Sequence, residues 1–242
     1  MEHELNRFIC GDCMSYLPLF PDDYFDLAIV DPQYGIGEDG GKDRGSYATQ
    51  KNGNKVFVPS GDYIKTGRDN RPTGPEYFNE LFRVSKEQII WGANYFRLPP
   101  GGAIVWDKCN DGSDQSGAEI AFNSLTKRVD VFRFMWRGMF QGKSILEGTI
   151  QQGNKALNEK RVHPNQKPVV LYDWLLARYA KPGMRILDTH VGSASSLIAC
   201  HKAGINYIGF EENRHYYELA NKRLQEHKSQ ITLWDCGLER RK

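Results

Sequence analysis

Short runs of β-branched and aromatic residues recur along the chain, separated by stretches whose apolar residues fall three and four apart. The runs Arg7 to Cys10, Phe25 to Val30, Gln88 to Trp91, Ala103 to Trp106, Val131 to Trp136, Arg185 to Asp188 and Asn206 to Phe210 predict strands. Helices are predicted over Pro75 to Ser85, Val169 to Ala180, Ser193 to Ala203 and Arg214 to His227. In the second of these, Val170, Trp174, Leu175 and Arg178 share a face, and Lys181-Pro182-Gly183 ends the helix. Alternation of the two kinds predicts one α/β domain over residues 1–242: a doubly wound, mostly parallel central sheet with helices on both faces.

Two stretches break the pattern. Gly37 to Gly74 holds eight glycines and charges of both signs with almost no periodic apolar residues, and reads as a long mobile loop, a lid or a substrate-contacting segment. Gln141 to Pro164 is polar and irregular. The 242 residues are 40% hydrophobic and 26% charged, a globular profile. No run approaches the ~18 apolar residues of a membrane span. Met1 to Arg7 has no apolar segment behind a basic start, so a cytoplasmic, unprocessed chain is expected. The five cysteines, odd in number and scattered, read as reduced thiols. A net charge of +2 gives no global pull on nucleic acid, so such a role needs local clustering. Lys127 to Arg161 supplies a cluster, with eight basic residues against three acidic ones and Phe132, Phe134, Trp136 and Phe140 interleaved. Either it tracks a phosphate backbone, or the aromatics are the core face of a strand and the basic residues its solvated face.

The strand Phe25 to Val30 runs into Asp31-Pro32-Gln33-Tyr34, which places a carboxylate, a proline and an aromatic ring at the carboxyl edge of a parallel sheet, where such folds bind ligands. These groups suit an exocyclic amine on a flat heterocycle. Asp31 and the Pro32 carbonyl can accept its two hydrogens while Tyr34 stacks on the ring, aiming the nitrogen lone pair at an electrophile. The competing reading is a turn that Asp31 caps and Pro32 starts. Arg185 to Asp188, the turn Thr189 to Ala194 and the following helix form a second candidate. Gly192 permits close backbone approach, the helix start offers N–H groups, and Glu211 at the end of the next strand can hold ribose hydroxyls. A nucleoside-containing cofactor fits there; the alternative is a βαβ unit without a ligand.

Three motifs are set aside. Gly35 to Gly40 satisfies GxGxxG but leads into no apolar-faced helix, which removes the context for NAD. Gly138 to Ser144 is one residue short of a phosphate-binding loop. Cys10-Gly11-Asp12-Cys13 lacks partners for a zinc site and reads as two packed thiols flanking Asp12. The six histidines show no metal-ligand spacing, so no metal is expected.

With these motifs in order, the chain resembles the β-class of amino-group DNA methyltransferases, particularly the compact forms of phages and prophages, from Phe8-Ile9-Cys10-Gly11-Asp12 to about Leu224. The tetrapeptide Asp31 to Tyr34 precedes the Asp188 to Ser195 segment, as in the family's circularly permuted order. His163-Pro164-Asn165-Gln166-Lys167-Pro168 is similar to the family's HPTQKP element, and Trp91 to Phe96 and Trp106-Asp107-Lys108 are similar to two further segments. The resemblance implies a Rossmann-like methyltransferase fold with S-adenosylmethionine as donor. It implies Asp31, Pro32 and Tyr34 as catalytic, with Asp31 also beside the cofactor, and Asp188 near the methionine amino group. It further implies a loop around Gly192, Ser193 and Ser195, Glu211 on the ribose, Asp12 and Cys13 at the adenine ring, and Lys167 and Pro168 near the methionine end. The substrate implied is double-stranded DNA, methylated at N6 of a flipped adenine, since the tetrapeptide begins with Asp. N4 of cytosine, a non-DNA amine or amide, and a binding homologue without turnover are the alternatives. Members often dimerise and serve restriction-modification or phage functions. Two departures stand out: Gln33 replaces a proline, and Ala194 replaces a glycine, which costs conformational freedom but tolerates a cofactor if φ there is negative.

Overall fold

The structure, a computed structural model, describes residues 4–37, 46–49, 53–58, 63, 69, 71–111, 116–137, 140–142 and 158–235. Its centre is an eight-stranded sheet. The strands are β1 (Arg7–Cys10), β2 (Phe25–Val30), β5 (Ser85–Trp91), β6 (Gly102–Asp107), β7 (Ala118–Asn123), β8 (Val129–Arg133), β11 (Arg185–Asp188) and β12 (Asn206–Glu211), in the order β1-β12-β11-β2-β5-β7-β6-β8. The first five in that order are mutually parallel; β7 runs antiparallel between β5 and β6, and β8 is parallel to β6. Two small antiparallel pairs stand apart: β3 (Ser46–Thr49) with β4 (Lys55–Val58), and β9 (Met135–Arg137) with β10 (Phe140–Gly142).

Both faces of the sheet are covered, so the central strands read as continuous apolar runs. On one face Leu27, Ile29, Ile89 and Trp91 pack with residues of α2 (Val169–Tyr179), α3 (Ser195–Ala203) and α4 (Arg214–Asp235). On the other, Ala28, Val30, Ile90 and Phe122 pack with Tyr77, Leu81 and Val84 of α1 (Pro75–Val84) and with Leu17 and Phe20 of the turns after β1. The doubly wound, mostly parallel architecture is as expected. Among the described residues, no helix is long and apolar enough to cross a membrane.

The differences have local causes. β7 is absent from the sequence-based expectation because Glu119 and the half-exposed Ile120 interrupt its apolar run. The expected strand Val131 to Trp136 breaks at Phe134, which leaves the ladder to donate its N–H to the Asp107 carbonyl (3.0 Å) and accept the Trp106 indole N–H (3.0 Å). In α2 the buried face is Leu171, Tyr172, Leu175 and Leu176; Val170 and Trp174 are half-buried, so the face is turned from the one expected. α3 begins at Ser195, because Ala194 adopts φ +64, the left-handed region, and so does not meet the condition of a negative φ. An alanine there costs about 1–2 kcal/mol, compensated by its complete burial. The Gly37 to Gly74 stretch contains the β3–β4 hairpin, and most of its remainder lies outside the described residues, as does most of Gly138 to Ser144, whose Phe140–Gly142 is strand. Cys10 is exposed and Cys13 buried, so they are not two packed thiols.

Gly209 in β12 marks the tightest contact between the sheet and the turn before α3: a Cβ there would lie 2.6 Å from Val191 Cγ2 and 3.0 Å from Leu197 Cδ1. Gly209→Ala is expected to lower unfolding free energy by about 1–3 kcal/mol, read from the urea midpoint at unchanged slope.

Candidate active site

Because β1, β12, β11, β2 and β5 run in one direction, Asp12, Glu211, Asp188, Asp31 and Gly92 all fall at or just past one edge of the sheet. β6 also ends there with Asp107 and Lys108. Antiparallel β7 starts there, which brings Glu119 to the same edge.

Asp31 leaves β2 with both carboxylate oxygens engaged. Oδ1 accepts the Tyr34 hydroxyl, and Oδ2 accepts Lys167 Nζ at 2.5 Å. Lys167 is almost fully buried and also pairs with Glu119 Oε2 (3.1 Å), whose other oxygen holds Lys108 Nζ (2.6 Å). Its ammonium lies over the Trp91 ring at 5.4 Å. Burial works against the charged lysine, but Asp31 and Glu119 outweigh it and hold its pKa above the usual value. Burial likewise pushes Glu119 up, yet Lys167 and Lys108 bring it down to about 2. Burial and the neighbouring Asp31 raise the Tyr34 phenol well above its usual value, so it stays a donor. The Tyr34 ring stacks on Tyr95 (4.9 Å between centroids, 15° apart) and meets Phe96 edge-on. Gly92, with φ +72, is obligatory beneath it: a Cβ would lie 2.2 Å from Tyr34 Cε1. The Gln33 carbonyl accepts the Thr73 N–H (3.0 Å), so the turn is pinned without a second proline.

Beside this corner lies a cleft of about 260 Å³ lined in part by Asp12, Cys13, Met14, Gln33, Tyr77, His190 and Glu212. The Asp12 carboxylate accepts the Met14 N–H (2.9 Å) and starts the turn that carries buried Cys13 into the wall. Asp188 sits one hydrogen bond behind the cleft, accepting the His190 N–H (3.0 Å) and the Ser196 hydroxyl. Burial pushes its carboxyl up to about 7 against those two hydrogen bonds. The Glu211 oxygens accept the N–H groups of Gly192 (3.0 Å) and Asn213 (2.8 Å), while the adjacent Glu212 lines the cleft. Gly192 is at φ +56 against the His163 ring, which burial lowers to about 4 and keeps neutral. Ser193 and Ser195 are buried with their hydroxyls 3.0 Å apart, and Arg223 donates to the Ser193 carbonyl and the Ser195 hydroxyl. Pro168 caps the start of α2.

The structure thus gathers Asp31, Pro32, Tyr34 and Lys167 at one corner and Asp12 and Cys13 at the cleft, with Asp188 one hydrogen bond behind it. It directs Glu211, Ser193 and Ser195 to backbone and Arg223. The basic stretch divides: Arg133 ends β8 at the active edge, Lys127 and Arg128 precede β8 at the opposite edge, and Arg161 is tucked against the Trp136 ring (4.7 Å). Lys143 and Lys155 lie outside the described residues.

Residues 105–222 match the family model described as DNA methylase. The match covers just under half of the chain, and those residues are similar to that family. Type II methyltransferase M.HinfI of Haemophilus influenzae is 23% identical over 254 residues, covering 93% of this chain and 69% of that protein. Two solved structures share the fold: the M1.HpyAVI–SAM complex (TM-score 0.51, 15% identity, 90% of this chain and 98% of that one) and the cytosine-N4-specific PvuII DNA methyltransferase (TM-score 0.51, 11% identity, 93% and 91%).

Sequence reasoning missed Glu119, Glu212, Tyr77 and Tyr95. The signal for Glu119 was a carboxylate inside the apolar run Ala118 to Phe122, and Tyr95 lies in a quoted motif without an assigned role.

Two outcomes are expected here. Gly92→Ala displaces Tyr34 from its stack and lowers turnover by about 100-fold, since a misplacement near 1 Å has that effect, as steady-state assays would read. Asp188 is protonated in the apoprotein below about pH 7. A raised carboxyl pKa disfavours the charged form, so the Asp188 contribution to apoprotein stability falls as pH rises from the unfolded Asp value towards 7. A cationic ligand beside it needs the ionised form. Affinity for such a ligand therefore rises by up to about tenfold per pH unit below 7, and calorimetric titration should find that slope lost in Asp188→Asn.

Proposed function

We propose that this chain transfers a methyl group from S-adenosylmethionine to N6 of adenine in duplex DNA. The observation that carries the reading is the pairing of an Asp31-Pro32-Gln33-Tyr34 corner with an acidic cleft on the same sheet edge. The cleft's chemistry suits the donor. Asp12 and Glu212 offer carboxylates for ribose hydroxyls, Cys13 and Met14 offer apolar surface for a purine ring, and buried Asp188 offers a carboxylate that a cationic amino group would stabilise in its ionised form. Bound there, the cofactor supplies an electrophilic methyl on a sulfonium.

The chain's own residues do the rest. Asp31 accepts one amine hydrogen and the Pro32 carbonyl the other, which turns the nitrogen lone pair out of conjugation towards the cleft. Because Tyr34 occupies Asp31 Oδ1, the amine takes the hydroxyl's place, and the Tyr34 ring separates from Tyr95 to receive the base. The amine of a paired adenine is inaccessible inside the duplex, so the base is flipped at a cost of a few kcal/mol, offset by stacking. Arg133, exposed at the same edge, is placed to meet phosphate. The choice of adenine over cytosine follows the family resemblance, in which an Asp-led tetrapeptide goes with N6 of adenine.

The test is Asp31→Ala. Transfer of labelled methyl to unmethylated DNA is expected to drop by at least about 1,000-fold, with cofactor affinity within a few-fold of the parent. Turnover retained in that variant would remove Asp31 from the chemistry, and label moving to RNA or protein in competition would move the substrate class.

A further inference from the structure

The Asp31 carboxylate does not meet Lys167 alone. Lys167 reaches the corner from the segment before α2, is 5% exposed, and divides its ammonium between Asp31 Oδ2 (2.5 Å) and Glu119 Oε2 (3.1 Å). Glu119 in turn holds Lys108 at 2.6 Å. The chain Asp31–Lys167–Glu119–Lys108 alternates in sign and sums to zero, with Tyr34, Trp91 and neutral His163 as the other close neighbours of the Lys167 ammonium. Had Lys167 only Asp31, the whole ammonium would fall on the one oxygen pair that must accept a substrate hydrogen.

We propose that Glu119 is a positioning residue for methyl transfer: it draws the Lys167 ammonium part-way off Asp31, leaving Asp31 oriented and able to accept from the amine, while Lys108 neutralises Glu119. The inference rests on the methyl-transfer reading for its kinetic consequence, and on the ion-pair geometry alone for its electrostatic one. A buried pair that loses one member leaves an uncompensated charge, so the alternation in sign makes a prediction that simple packing does not.

Removing Glu119 returns the whole Lys167 ammonium to Asp31 and should harm turnover whether or not Lys108 is present. Glu119→Gln is expected to lower kcat by about 100-fold with cofactor affinity unchanged. Lys108→Met on that background should leave kcat at the Glu119→Gln level, because Lys167 still has only Asp31, and Glu119→Asp should retain most of the parental kcat. Recovery of parental kcat in the double variant, or a Glu119→Gln enzyme with parental kcat, would overturn the proposal. A second reading is independent of turnover. In protein carrying 13C-labelled lysine, with the Lys167 resonance assigned by Lys167→Met, the Lys167 titration midpoint should fall by about one pH unit in Glu119→Gln. An unchanged midpoint would overturn the link between Glu119 and Lys167. A shifted midpoint in a protein that modifies no DNA would support that link and count against the methyl-transfer reading instead.

Discussion

The ion pair between Asp31 and Lys167 is the joint on which the active edge depends. It closes a separation of 136 residues, tying the end of β2 to the segment that enters α2. A lysine this deeply buried is costly by several kcal/mol unless paired, so the fold that buries Lys167 must also bring Asp31 or Glu119 to it. Glu119 and Lys108 extend the pairing across β7 and β6, and the Trp91 ring lies under the ammonium. The Asp31 carboxylate is thereby fixed by charge balance as well as by the end of its strand.

The parallel strands set up the rest. A single direction for β1, β12, β11, β2 and β5 delivers their terminal residues to one edge, and the left-handed turns at Gly92, Gly192 and Ala194 let backbone and rings approach where a ligand would sit. The cleft and the Tyr34 corner are adjacent because β11 and β2 are neighbours in the sheet, with Ile186 opposite Leu27 and Leu187 opposite Ala28. That adjacency is what a methyl donor and an amine acceptor require, since transfer depends on alignment more than on any acid or base. Glu159, which accepts from Arg223, Gln166 and the Val169 N–H, braces the same α2 entry from the other side.

Much of this was legible in the sequence. Strands buried on both faces, such as Phe25–Val30 and Arg185–Asp188, announce themselves as uninterrupted apolar runs, and the residues just past them follow. β7 was not legible because an antiparallel strand with one active-site carboxylate and one half-exposed face has no clean period. The turn around Gly192 was readable as one that permits close approach, but the placement of Glu212 in the cleft wall and of Glu211 on the backbone was not. Which of two adjacent carboxylates turns to the backbone is decided by the tertiary positions of Gly192 and Asn213. Ala194 shows the same limit: its positive φ is imposed by the turn and carried by burial, against its local preference.

The central claim is that this edge methylates an exocyclic amine of DNA. Incubating the purified protein with S-adenosylmethionine and unmethylated duplex DNA, then digesting and identifying nucleosides by mass, tests it most directly. N6-methyladenine is the expected product. N4-methylcytosine would keep the chemistry of Asp31 and Pro32 and change the base, whereas DNA returned unmodified by protein that binds the cofactor would contradict the claim.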